Sequence, residues 1–160
     1  MKYLLSTGYK FVTALMIVIL TLGVMPVSPA FAADTGLSAP AGNVNGAAPN
    51  NNWTNPQDGY TTNNVRATAA NGGRVVQYTT FNIAAIPAGS VINGIEVILE
   101  ASTSGRQVDV DLSWNNGATY TTTVLTSVSG GAEGLTTLGG PANTWGRTWA
   151  VGDFTNANFR

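Results

Sequence analysis

The 160-residue chain contains no cysteine and no histidine, and its two lysines, Lys2 and Lys10, both lie within the first ten residues. Without cysteine, no disulfide can cross-link the fold, so any folded domain must rest on its apolar core. The same absences remove a thiol nucleophile and a general base of the histidine type. A Gly-x-Ser-x-Gly nucleophile motif is also missing. The composition therefore argues against most enzyme classes.

Basic charge is scarce as well. After residue 32 the chain has five arginines and eight acidic residues, which gives a net charge of −3. A nucleic-acid-binding surface needs a stripe of lysine and arginine to neutralise phosphates. The sequence therefore predicts no nucleic-acid partner.

The one long apolar run is confined to the start of the chain. Residues 11–25 form 15 residues without a charge, followed by Pro26, Pro29 and the small-residue pattern Ala30-Phe31-Ala32. A membrane anchor is the alternative, but a spanning helix needs about 20 apolar residues. This arrangement predicts a signal peptide over residues 1–32 that is cleaved after Ala32. We therefore expect a protein that is secreted or held at the cell surface, without a membrane span after cleavage.

The rest of the chain is rich in threonine, asparagine, glycine and valine and lacks helical periodicity. Residues 33–51 are predicted to be a flexible linker, because they are rich in glycine, alanine, asparagine and proline. Residues 52–160 are predicted to form an all-β domain, an antiparallel β-sandwich of the jelly-roll type. Polar turns separate its expected strands, which are 65–69, 74–82, 94–101, 108–114, 118–128 and 134–138.

The predicted strands 94–101 and 108–114 each have an apolar row on one face, because apolar side chains recur at every second position. If Ser102–Gln107 closes a hairpin between them, Ala101 lies opposite Val108 and Leu99 lies opposite Val110. Both apolar rows then fall on the same side, as a single buried face requires. We therefore predict that this hairpin forms part of the sandwich.

The same register places acidic residues side by side. Glu100 would face Asp109, and Asp111 would follow on the same face. Two bare carboxylates in that position are unfavourable, so one interpretation is a Ca²⁺ site formed by these three residues. The alternatives are neutralisation by Arg106 and simple solvation. No other cofactor is indicated.

The stretch "SWNNGATY", Ser113–Tyr120, reads Ser-x-Asn-x-Gly-x-Thr-Tyr. It resembles the Asp-box turn of sialidase-type propellers, with Asn115 where those proteins have aspartate. We predict a three-residue turn with Gly117 in the left-handed conformation, which places Tyr120, Thr122 and Val124 on the buried face. A sialidase needs several blades and an arginine cluster, whereas this chain has one box. The motif is therefore expected to be structural and not catalytic.

A second candidate site is the aromatic group Trp145, Arg147 and Trp149. In an extended segment these residues share a face, so that Arg147 would stack between two indoles. One interpretation is a ligand-binding platform on which the sugar rings of a polysaccharide or a cell-envelope glycan stack. The other is core packing, because tryptophan side chains are buried on average.

Four segments cover most of the chain after the predicted signal peptide: "DGYTTNN", "IPAGSVINGIEVILEAS", "DLSWNNGATYT" and "TLGGPANTWGRTWAVGDFTNANFR". In their order and spacing they resemble a recurrent secreted β-sandwich domain of bacteria. That family extends past its Asn-Phe-Arg segment into a further strand, so we expect residues 52–160 to lack the last strand of the domain. The resemblance implies no particular activity.

These observations predict a non-catalytic module that binds glycans or the cell envelope. The alternative is a purely structural spacer domain of a larger surface adhesin. A fragment of a sialidase-like enzyme comes third.

Overall fold

Short strands make up most of the regular structure in the computed structural model, which describes residues 34–46, 51–102, 106–127 and 132–160. These residues contain two 3₁₀-helices, Pro56–Tyr60 and Val151–Phe154, and no α-helix. The all-β prediction is therefore confirmed. The predicted signal peptide, residues 1–32, lies outside the described residues. The strands are β1 Gly42–Asn45, β2 Trp53–Thr54, β3 Thr68–Ala69, β4 Val76–Thr79, β5 Ile95–Ala101, β6 Val108–Val110, β7 Leu125–Ser127 and β8 Gly134–Gly140.

The strands associate as antiparallel pairs within one unit, Thr35–Arg160. The pairs are β1 with β4, β2 with β3, β5 with β8, and β6 with β7. Strands β5 and β8 cover the predicted runs 94–101 and 134–138 almost fully, whereas the other predicted strands are shorter than expected. In the described part of the chain, no helix has the length and apolarity needed to cross a membrane.

The predicted hairpin between residues 94–101 and 108–114 is wrong. Strand β5 pairs along its whole length with β8, from Ile95 opposite Gly140 to Ala101 opposite Gly134. Strand β6 pairs instead with β7, where Val110 faces Leu125. The physical reason is length: β8 offers seven antiparallel partners to the seven residues of β5, whereas β6 has only three residues. The longer ladder satisfies more backbone groups.

The segment predicted as a linker, 33–51, contains a strand that the sequence did not indicate. Strand β1 forms a four-residue antiparallel ladder with β4, from Gly42 opposite Thr79 to Asn45 opposite Val76. A β-carbon at Gly42 would lie 2.4 Å from the Thr79 hydroxyl oxygen, so the missing side chain allows this close pairing. The linker interpretation therefore does not hold for residues 42–45.

The core is mainly aromatic, whereas the buried faces of the strands were predicted mainly from aliphatic residues. The predicted apolar faces of the middle strands are confirmed, because Ile95, Val97 and Val110 pack against the buried cluster. Phe81 is partly buried and packs against Phe159 of this cluster, with 5.5 Å between their ring centroids. The buried members of the cluster are Leu112, Leu138, Trp145, Trp149 and Phe159.

Candidate functional site

Trp145 lies at the centre of the core and has no solvent exposure (0%). Its indole N–H donates a hydrogen bond of 2.9 Å to the carbonyl oxygen of Ile95 at the start of β5. The backbone of Trp145 is left-handed, with φ of 56°, and Gly146 follows with φ of 79°. The segment is therefore a turn and not the extended chain that the platform interpretation assumed.

Trp149 is also buried, with 5% of its surface exposed. Its indole N–H donates to the carbonyl oxygen of Thr144 at 2.8 Å. Its ring packs edge-on against Phe159, with 6.0 Å between the centroids. Because neither Trp145 nor Trp149 presents an open face, the predicted glycan platform of Trp145, Arg147 and Trp149 is wrong. Tryptophan packing, the other interpretation, accounts for both residues.

Arg147 contacts two indoles, as predicted, but one of its partners is different and the two ring planes are perpendicular, at 89°. Its guanidinium carbon lies 3.8 Å from the ring centroid of Trp114 and 4.4 Å from that of Trp149. The same guanidinium pairs with the Asp153 carboxylate at 3.2 Å. Such a desolvated cation–π contact contributes about 1–2 kcal/mol. Trp114 was not predicted in this role, although it lies inside the Asp-box-like motif.

Hydrogen bonds from side chains of the Asp-box-like motif are made to other residues of the same motif. The Asn115 side-chain oxygen accepts from the Thr119 backbone N–H at 2.8 Å, and its amide donates to the Thr119 hydroxyl at 2.9 Å. The fully buried Ser113 hydroxyl accepts from the Gly117 N–H at 2.9 Å. Gly117 has φ of 79°, so its predicted left-handed conformation is confirmed.

The register around this motif differs from the predicted one. Ser113 forms the bridge with Tyr120, so the connecting loop has six residues and not three. This shift by one residue buries Thr121 and leaves Val124 47% exposed. The prediction that Val124 lies on the buried face is therefore wrong, since a slip of one residue exchanges the two faces of a strand. The Asn115 hydrogen bonds explain why the longer loop is stable.

The motif also holds the segment that follows the second 3₁₀-helix. Ser113 and Arg160 exchange both backbone hydrogen bonds, at 2.9 Å and 3.0 Å. The Asn116 N–H donates to the Asn158 carbonyl oxygen at 2.8 Å, and the Arg160 guanidinium donates to the Asn116 side chain. Thus the motif is hydrogen-bonded to residues 158–160, and Phe159 reaches the core between these contacts. The arrangement makes the motif a structural clip.

Removing the Asn115 side chain is expected to loosen this clip. We expect Asn115→Ala to lower the free energy of unfolding by about 1–2 kcal/mol, because the Thr119 N–H and the Ser113 hydroxyl lose an acceptor. Asn115→Asp keeps an acceptor oxygen in the same place and should stay within about 0.5 kcal/mol of the parent chain. Urea unfolding followed by circular dichroism measures both. An alanine variant as stable as the aspartate variant would contradict the clip.

The three acidic residues predicted to form a Ca²⁺ site do not have the expected register. Glu100 lies opposite Leu135, and Asp109 lies opposite Thr126. Burial, together with the charge of Asp109, raises the pKa of the Asp111 carboxyl. Among the described residues there is no group of three or more acidic side chains placed to hold a metal ion. The pairing on which the Ca²⁺ interpretation rested is therefore not formed.

A pair of tyrosines, which the sequence pattern did not indicate as a site, forms a partly exposed aromatic surface. The rings of Tyr60 and Tyr78 pack edge to face, with 6.1 Å between their centroids. The Asn43 side-chain amide donates to the Tyr60 hydroxyl. Gly59 lies under the Tyr78 hydroxyl, where a β-carbon would be only 2.2 Å away. We call Asn43, Tyr60 and Tyr78 the tyrosine face. It combines aromatic rings with an amide, which is chemistry that suits a sugar.

Comparison with known proteins adds no assignment: no protein-family model, no curated protein and no solved structure matches this chain.

Proposed function

We propose that the chain is a non-catalytic structural module of a secreted or cell-surface protein, folded as an antiparallel β-sandwich behind a signal peptide. The observation that carries the proposal is the burial of Trp145 and Trp149, the residues best suited by type to bind a glycan. Their indole N–H groups are used by backbone carbonyls of the same chain. What looks like a binding motif in the sequence therefore supports a packing role.

The hydrogen bonding of the Asp-box-like motif supports a non-catalytic role as well. The side chains of Ser113 and Asn115 are both engaged in hydrogen bonds within the motif itself. A catalytic group needs a proton or lone pair available to a substrate. The sialidase-like alternative thus draws no support from this motif.

Glycan binding at the tyrosine face is the second candidate function. The specific observation in its favour is a pair of partly exposed tyrosine rings beside an amide, held by the first 3₁₀-helix against β4. Aromatic rings stack on the apolar faces of sugars, and a nearby amide orients hydroxyl groups. Binding at one such site is weak, so repeated presentation of the module would strengthen it.

One experiment separates the two functions. Protein collected from the medium, with its N-terminus at Ala33, is incubated with insoluble cell-envelope polysaccharides and with sialosides. The structural-module proposal expects no retention above a bovine serum albumin control and no hydrolysis. Retention that is lost in Tyr60→Ala, at unchanged free energy of unfolding, would replace it with the second candidate.

The matched control for this experiment is Leu135→Ala. Leu135 is 67% exposed on β8, so its truncation changes the surface without opening the core. Retention lost equally in Tyr60→Ala and Leu135→Ala would indicate general adhesion and not a site at the tyrosine face.

A further inference from the structure

The chain contains four Asn-Gly pairs, at residues 45–46, 71–72, 93–94 and 116–117. In such a pair the glycine backbone nitrogen can attack the side-chain amide carbon of the asparagine. Its proton passes to hydroxide, a five-membered succinimide ring closes, and ammonia leaves. Water then opens the ring to aspartate or isoaspartate, so one water is consumed and one ammonia released. The reaction requires a glycine nitrogen that is free to lose its proton and to move toward the amide carbon.

Two of the four pairs are held by hydrogen bonds at the reacting nitrogen. The Gly46 N–H donates to the Val75 carbonyl oxygen at 2.9 Å, which continues the β1–β4 ladder. The Gly117 N–H donates to the buried Ser113 hydroxyl at 2.9 Å. In the pair at residues 116–117, the Asn116 side-chain oxygen also accepts a hydrogen bond from the Arg160 guanidinium. Both nitrogens must break a hydrogen bond before they can react, so both pairs are protected.

The pair at residues 93–94 is restrained by packing. A β-carbon at Gly94 would lie 2.2 Å from the Gly140 carbonyl oxygen and 2.5 Å from the Pro141 carbonyl carbon, so the backbones are already in close contact. The next backbone N–H, that of Ile95, donates to the carbonyl oxygen of Asn143 at 3.0 Å. The backbone shift that ring closure needs is therefore opposed on this side.

Asn71 and Gly72 have neither a hydrogen bond at the glycine nitrogen nor close backbone packing among the described residues. Both are exposed in the turn between β3 and β4, and within the part of the chain that the structure describes neither has a hydrogen-bond partner. Of the residues that the structure describes, the atoms within 4 Å of a β-carbon built at Gly72 belong to the end of the Arg106 side chain, the nearest at 2.8 Å. We propose that Asn71 is a site of spontaneous deamidation, selected by the fold from four chemically equivalent pairs.

The product places new charge at a defined point. Conversion of Asn71 to aspartate or isoaspartate adds one negative charge in the turn, close to the cationic end of Arg106. Isoaspartate also adds a methylene to the backbone there. Because the turn is exposed and belongs to no strand, the fold tolerates both products.

The test is to age the folded protein at mildly alkaline pH, where hydroxide accelerates the reaction, and to map deamidated peptides by mass spectrometry. We expect deamidation at Asn71 to be at least about fivefold faster than at Asn45 or Asn116, the factor that corresponds to one net hydrogen bond. The rate at Asn93 should lie between them. Equal rates at Asn71 and Asn116 in the folded protein would overturn the proposal.

Two controls show whether the fold sets the order. In concentrated urea the four rates should converge, and an order that persists there would overturn the proposal, because it would come from the neighbouring sequence. Ser113→Ala removes the acceptor of the Gly117 N–H, so deamidation at Asn116 should accelerate while that at Asn71 stays unchanged. Circular dichroism establishes that this variant is folded. If a folded Ser113→Ala protein shows no acceleration at Asn116, the assigned protection is wrong.

Discussion

Replacing Trp145 by alanine is expected to lower the free energy of unfolding by about 3–5 kcal/mol, the range for deleting a fully buried large aromatic side chain. The residue has no exposed surface, and its truncation leaves a cavity among Leu138, Trp149 and the start of β5. The loss also removes the donor to the Ile95 carbonyl oxygen. A domain of this size has a total stability of about 5–15 kcal/mol, so the variant should lose between about a fifth and all of that stability.

Urea unfolding followed by far-ultraviolet circular dichroism measures this loss. Trp145→Phe serves as the graded variant, because it keeps an aromatic ring but removes the indole N–H, and its loss should be smaller. Leu135→Ala, on the exposed side of β8, should stay within about 0.5 kcal/mol of the parent chain. A stable Trp145→Ala protein would show that the residue is not part of the core.

Gly139→Ala is expected to be the second most damaging change, with a loss of about 2–5 kcal/mol from backbone strain and overpacking together. Gly139 has φ of 81°, a conformation that disfavours a side chain. A β-carbon there would lie 2.2 Å from the Ile95 carbonyl oxygen and 2.8 Å from the Trp145 indole nitrogen. It would therefore displace the hydrogen bond that joins Trp145 to β5.

The matched control for Gly139→Ala is Gly134→Ala at the other end of the same strand. Among the described residues, no atom lies within 4 Å of a β-carbon built at Gly134, and its φ is not in the left-handed region. Urea unfolding should show a change of less than about 0.5 kcal/mol for this variant. If the two alanine variants lose the same stability, the close approach of Gly139 to Trp145 is not what stabilises the contact between Trp145 and β5.

Local features of the fold were predictable, because they depend on residues near each other in the sequence. The alternation of Ile95 and Val97 indicated which face of β5 is buried, and the structure confirms it. The left-handed conformation of Gly117 followed from its place in a turn. Both features depend on backbone geometry over a few residues, which residue type largely determines.

Strand pairing was not predictable in the same way. Strand β5 could pair with β6 through a short connection or with β8 through a long one, and both choices bury the same apolar row. The structure has the seven-residue ladder with β8. A preference for local hairpins therefore led to the wrong register and, with it, to the juxtaposition of Glu100 and Asp109.

At the aromatic site, too, the local feature was predictable and the contact between distant residues was not. The stacking of Arg147 on indoles was predicted from residue types alone, and it is confirmed. The partner that replaces Trp145 is Trp114, which lies more than 30 residues away in the chain. A turn with positive φ at Trp145 and Gly146 redirects the segment, and no sequence pattern indicated that turn. The choice between a binding platform and a core thus depended on one local conformation.

The most direct test of the account is the hydrogen exchange of the tryptophan indole N–H groups, measured by NMR on the folded protein. We expect the indole N–H groups of Trp145 and Trp149 to exchange only through global unfolding, because each is buried and donates to a backbone carbonyl. The protection free energy of both should then equal the free energy of unfolding from urea titration. Exchange of either indole at the rate of a solvent-exposed tryptophan would contradict the packing role and restore the binding platform.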